Sequence, residues 1–316
     1  MNIYENTPQY ESKHFLLRKV RLTDAGDLLR CYSDPEAVGR MNADNCTNNF
    51  HFTTLSDMEA CIRFWLDEVS KGYYLRFALV DKAEGRAFGT TEIFNKGDLG
   101  PLPQVGLLRL DLAARYETED VLRELFSLTH EHFYGLLELQ YMMTKAPRAA
   151  GVRRMAMEKL GYLPVKNPSV APYEDYWFRW KKTPFEVAES IACCGLVCAF
   201  CHSAGSCAGC RESLSCRRLS EDGCFQYQCS GEKGFEGCWE CPDGPCGRDM
   251  FSESHDLRNR VFVQLIREKG REWLAKRLLE NQQFGIQYGW QKDYDGLDSP
   301  EAIRTLLETG NRRNRT

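Results

Sequence analysis

Polar and apolar residues alternate along His14–Arg21, where Phe15, Leu17 and Lys19 face one way and Leu16, Arg18 and Val20 the other. That is the period of a β-strand. Thr23 and Asp24 then offer a cap, and Leu28, Leu29 and Tyr32 recur at helical spacing. Ser33-Asp34-Pro35-Glu36 starts a second short helix, and a polar loop follows with Asn42, Asp44, Asn45, Asn48 and Asn49. Ser56 and Glu59 stand three apart, the pattern of a capping box, before an amphipathic helix that runs to about Ser70 with Cys61, Phe64, Trp65 and Val69 apolar.

Tyr74–Val80 and Ala87–Phe94 read as a hairpin about the polar turn Asp81–Arg86, and Gln104–Leu112 alternates again. Thr118–Tyr134 predicts a long helix with Val121, Leu122, Leu125, Phe126 and Phe133 on one side. Leu139–Thr144 is a strand, Ala149–Leu160 a helix, Tyr173–Trp180 a last strand. Strands and helices in this order predict a mixed α/β sheet with helices packed on it.

The pattern changes at Lys181-Lys182-Thr183-Pro184, so two domains are expected, 1–182 and 183–316. Of fifteen cysteines, twelve fall between Cys193 and Cys246, while Cys31, Cys46 and Cys61 read as isolated thiols. Three C-x2-C pairs, Cys198/Cys201, Cys207/Cys210 and Cys238/Cys241, occur there, with Cys194, Cys216, Cys224, Cys229 and Cys246 available to complete sites. A C-x2-C turn sets two sulfurs on one side, and two such turns make a tetrahedron around zinc. Few large apolar residues lie in this stretch, so metal binding is expected to supply its folding free energy. Zinc held by four thiolates, or by three thiolates and an imidazole such as His202, is one reading; an iron–sulfur cluster is the alternative. Cys194–Cys201 has the C-x3-C-x-aromatic-C form of radical enzymes, but about 115 residues follow, too few for their barrel. Helical spacing then resumes from about Ser254 to Gln283, broken at Gly270, and Ser299–Glu308 is a closing helix.

The start Met1–Tyr10 is polar, with no secretory core, and no run reaches the ~18–20 apolar residues of a membrane span. A cytoplasmic protein is expected, with reduced thiols that favour metal over disulfides. A net charge of −4 offers no general attraction to nucleic acid or to an anionic membrane. The arginines of Asn311–Thr316 read as a frayed terminus.

Three segments of the first domain resemble the GNAT acetyltransferase family, in its branch of ribosomal-protein N-terminal acetyltransferases. They are LLRKVRLTDAGDLLRCYSDPEAVGRMN, GTTEIF and MEKLGYLPV, and the resemblance covers residues ~14–182. It implies a GNAT-like mixed sheet, acetyl-CoA as substrate, and a small-molecule or protein amine as acceptor. It places the pantetheine arm at Leu110–Leu112 and the pyrophosphate at Arg115, Tyr116, Glu117 and Thr118. It makes Asp111 and Glu92 the candidate bases. The sequence departs from the family where Ala113 and Arg115 replace glycines and where Ala150, Arg153 and Met157 replace the usual Asn, Ser and Tyr. In the second domain CGLVCAFC, CAGC, CWECPDGPC and FGIQYGWQKDYDG resemble a cysteine-rich family without an assigned activity, over ~190–310. The chain is therefore expected to be an acetyl-CoA-dependent N-acyltransferase with a C-terminal zinc-binding module. The alternative is a non-catalytic, metal- or redox-responsive binding protein with a degenerate GNAT domain.

Overall fold

The computed structural model describes residues 2–44, 46, 50–171, 173–201, 204, 207, 209–210, 224–253 and 257–311. Asn45, Asn48, Asn49, His202, Cys216 and the tail arginines lie outside the described residues. The chain divides into two compact units, Met1–Lys181 and Lys182–Thr316.

In the first unit, eight strands form one sheet: β1 (Tyr10–Glu11), β2 (Phe15–Lys19), β3 (Leu75–Asp81), β4 (Arg86–Leu99), β5 (Leu102–Leu112), β6 (Tyr141–Lys145), β7 (Leu163–Pro164) and β8 (Tyr176–Trp180). The spatial order is β1-β2-β3-β4-β5-β6-β8-β7. Its helices are α1 (Ala25–Tyr32), α2 (Pro35–Val38), α3 (Leu55–Ser70), α4 (Glu119–Leu136) and α5 (Gly151–Lys159). The expected mixed sheet with flanking helices is present. The two-residue strands β1 and β7 are too short to show a period, and β4 continues five residues past Phe94 through register shifts between Asn95 and Leu99.

Alternation along β5 builds both cores. Leu108, Leu110 and Leu112 join Leu122, Leu125 and Phe126 of α4 and Met157 of α5 on one face. Arg109 and Asp111 are left for the other, where α1 and α3 pack Leu28, Tyr32, Ile62 and Trp65. Gly89 of β4 is required here, because a Cβ on it would run into the Asp111 carbonyl. The cap of α3 differs from expectation. Thr54, not Ser56, is the N-cap and accepts from Asp57 N–H at 3.1 Å, so the helix starts one residue before Ser56. With that phase Met58, Ile62, Trp65 and Val69 are buried, and Phe64 is 59% exposed rather than in the core.

Among the described residues only β5 and β6 run parallel, and they pair for four positions, 105–108 against 141–144. Past Leu108 that pairing stops, while β5 stays paired with β4 to Leu112. The sheet parts there, beside the start of α4.

The second unit holds α6 (Pro184–Glu189), α7 (Phe225–Glu232), α8 (Leu257–Lys269), α9 (Arg271–Gln282) and α10 (Pro300–Thr309). Thr183 and Glu186 form a capping box on α6. The break at Gly270 is real: its φ of 89° suits glycine, and the chain turns from α8 into α9. Phe262, Leu265, Leu274, Leu278 and Ile303 are buried between these helices. Buried Asn281 ties α9 to α10 by donating to the Leu306 and Leu307 carbonyls. No helix of the described residues is long and apolar enough to cross a membrane.

Candidate active site

The registers of β3, β4 and β5 set Arg76 opposite Glu92, Glu92 opposite Arg109, and Thr90 opposite Asp111. All five side chains point to the α1–α3 face, so polar groups far apart in sequence meet under the helices. Arg76 has no exposed side-chain surface. It donates to Glu92 at 2.7 Å, to Asp111 at 3.1 Å, to the Tyr32 hydroxyl at 3.0 Å and to Thr90 at 2.9 Å. The Trp65 ring covers it at 3.9 Å. Arg109 approaches Glu92 from the other side at 3.8 Å.

The two carboxylates singled out in the sequence thus share one guanidinium but differ in access. Asp111 is fully buried, bonded to Tyr32 and Arg76 through one oxygen. Glu92 lines a cavity of about 670 Å³ with Asn42, Asp44, Cys46, Phe52 and side chains of α3 and the sheet. That volume suits a small organic ligand. Phe50, Trp65, Tyr74 and Phe94 give it aromatic walls, and Asp44, Asp57 and Arg109 add charge. Asp44 is neutralised by Lys145 at 2.8 Å. Burial pushes the Cys61 thiol at this cavity up to about 12, so it is no nucleophile near neutral pH.

On the other face, the residues expected to meet coenzyme A are otherwise engaged. The Leu110 carbonyl, beyond the β5–β6 pairing, accepts from Arg153 Nη1 at 2.8 Å. Arg153 also forms a two-pronged ion pair with Glu117, both distances 2.8 Å and both side chains at most 5% exposed. Leu112 is buried in the core. Arg115 points outward to Glu84 at 2.6 Å and is 63% exposed. Tyr116 stacks on Phe88 and donates to Asp81 at 2.9 Å. Thr118 is the N-cap of α4 without a side-chain cap bond, and Glu119 and Asp120 occupy the first turn. With Glu117, three carboxylates therefore stand at the helix end that would receive a pyrophosphate, and they already occupy the favourable end of its dipole. As arranged here, the strand end and helix start do not fit the pantetheine and pyrophosphate of coenzyme A.

In the second unit Cys198 lies within electrostatic reach of Cys201, Cys207 and Cys210, and Cys238 within reach of Cys229, Cys241 and Cys246. Burial raises the Cys198 and Cys238 thiols to about 11. The Gly209 N–H donates to Cys207 Sγ at 3.4 Å. Buried Cys194 has Cys210, Cys224 and Cys238 around it. Arg267 holds the 238–244 loop through the carbonyls of Trp239, Cys241 and Gly244. Among the described residues, no three His, Cys, Asp or Glu side chains are placed to hold one ion. The donor set, all thiol, still has the chemistry of a thiophilic metal.

Neither Arg76 nor the pairing of Arg153 with Glu117 was anticipated from the sequence. Arg76 had a signal: a charge at an inward position of the apolar run 74–80 needs a buried partner. Arg153 had a weaker one, a long cation where the resembled family keeps a short polar side chain.

No family model matches this chain, and no curated protein matches it. Solved structures similar to it include a GNAT-family acetyltransferase from Bacillus anthracis, at 12% identity over 55% of this chain and 99% of that one, TM-score 0.42. A ribosomal-protein-S5-alanine acetyltransferase from Vibrio fischeri is 15% identical over 54% and 94%, TM-score 0.42. A GCN5-related N-acetyltransferase from Brucella melitensis is 16% identical over 55% and 79%, TM-score 0.39.

Proposed function

We propose that the first unit is an N-acyltransferase domain whose acceptor half is formed and whose donor half is held shut. The observation that carries this reading is Glu92, a carboxylate at the floor of an aromatic-walled cavity, fixed from two sides by Arg76 and Arg109. An amine entering the cavity meets an acceptor for its N–H groups, and the aromatic walls exclude water around it. Glu92 receives the proton that the amine loses as its nitrogen bonds to the acyl carbon, while the thioester C–S bond of the donor breaks and the departing sulfur leaves as the free thiol after taking up a proton. Asp111, out of reach of the cavity, positions Arg76. The acceptor is a small-molecule or peptide amine that fits the cavity, and the donor expected from the family resemblance is acetyl-CoA.

The test is acetylation of an amine panel by the full-length protein, followed by mass spectrometry. Product is expected with at least one amine, and Glu92→Gln is expected to lower kcat about 10²-fold or more. Unchanged kcat in that variant removes Glu92 from the reaction. A second reading, a binding domain without transfer, is favoured by the Arg153–Glu117 pair at the donor side. It gains if amines bind by calorimetry while acetyl-CoA binds to no form of the protein.

For the second unit the reading is a zinc-binding module of two four-cysteine sets. One is Cys198, Cys201, Cys207 and Cys210; the other is Cys229, Cys238, Cys241 and Cys246. The three cysteines within electrostatic reach of Cys198, and the other three within reach of Cys238, support this division. Bound metal would supply folding free energy, and no step of the acyl transfer runs through it. Metal analysis of the purified chain tests it.

A further inference from the structure

We propose that Arg153 is the residue that admits or excludes the acyl donor: paired with Glu117, it plugs the parting between β5 and β6, and a donor enters only as that pair separates. The proposal rests on the acyl-transfer reading above.

The position of the plug follows from the register. β6 accompanies β5 only to Leu108, so the Leu110 carbonyl faces a gap in the sheet. A backbone carbonyl in a buried gap needs a donor. Arg153, three positions into α5, supplies one at 2.8 Å. Two more of its nitrogens are taken by Glu117, which sits between the 3-10 turn Ala114–Tyr116 and the start of α4. One side chain thus occupies the polar edge of the strand and also neutralises the carboxylate nearest the helix end.

The arrangement is self-complementary, and it is of the kind a ligand can replace. An amide N–H of a donor arm can satisfy Leu110 as Arg153 does. A phosphate can replace the Glu117 carboxylate on the guanidinium, because both offer two oxygens to its fork. The same Arg153 that closes the gap then becomes a phosphate partner, while Glu117 left behind repels the anion. Closed-state strength and donor affinity are therefore opposed: whatever tightens the pair weakens donor binding.

The experiment is calorimetry of coenzyme A with the full-length wild type, Glu117→Gln, and the double variant Arg153→Asn with Glu117→Gln. The double variant leaves no buried charge of this pair unpaired, and circular dichroism checks its fold. The expected result is coenzyme A binding at least tenfold tighter in Glu117→Gln, which keeps Arg153 as a phosphate partner, than in the wild type, with the double variant between them. Equal, measurable affinity in all three overturns the plug and leaves the acyl-transfer reading intact. Absence of binding in all three folded proteins overturns both. Tighter binding in Arg115→Gly but not in the double variant also overturns it, by moving the block to the exposed arginine.

Discussion

The Arg76 guanidinium has no exposed surface and holds Glu92 and Asp111 at once, under the ring of Trp65. These residues are 16 and 35 positions from it in sequence, and only the antiparallel registers of three strands bring them together. Glu92 and Asp111 were legible as candidate carboxylates; their sharing of one cation was not, because partner choice across a sheet depends on register. A half-buried histidine gives a measurable consequence. His130 bonds the Tyr162 hydroxyl at 2.9 Å, and burial first, then the Arg179 charge, holds its pKa well below the ordinary histidine value of 6.5. Below that pH the unfolded chain binds a proton that the native state refuses. Stability from this site is then complete above that pH and declines as pH falls toward the lowered folded pKa. Denaturant midpoints measured between pH 7 and pH 5 are expected to fall less steeply in His130→Gln than in the wild type. Parallel slopes would refute this.

At the scale of elements, α3 shows how a one-residue shift in the start of a helix re-aims its side chains. Ser56 and Glu59 have the right spacing for a capping box, yet Thr54 is the residue with extended backbone, φ −122° and ψ 149°, and its hydroxyl takes the Asp57 N–H. Local spacing does not tell which of two neighbouring hydroxyls leaves the helix; packing of Met58, Ile62 and Trp65 against α1 and the sheet decides it. Thr54→Ala is expected to cost about 1 kcal/mol, and Ser56→Ala a few tenths or less, by chemical denaturation. A larger loss in Ser56→Ala would restore the capping box read from sequence. The break at Gly270 was legible for the opposite reason: a positive φ is a backbone requirement that the residue type itself announces.

At the scale of the whole molecule, the two units draw their order from different sources. The first buries continuous apolar faces on both sides of its sheet. The second combines an apolar helical assembly with a cysteine segment that has little apolar material of its own. If the two cysteine sets each hold zinc, about two zinc ions per chain are expected by metal mass spectrometry. Cys207→Ser with Cys210→Ser should lose one of them, and Cys241→Ser with Cys246→Ser the other. A brown preparation rich in iron, or a metal content near zero after gentle purification, contradicts the two-zinc reading.

By itself the sequence determined the alternation of strands and helices, the change in character near residue 181 and the thiol spacing, because these follow from local periodicity and residue chemistry. Only the tertiary structure decided that Glu92 faces a cavity and Asp111 does not, and that Arg153 fills the gap past Leu108. Those outcomes depend on strand register and on where parallel pairing stops, and neither is written in any single stretch of chain.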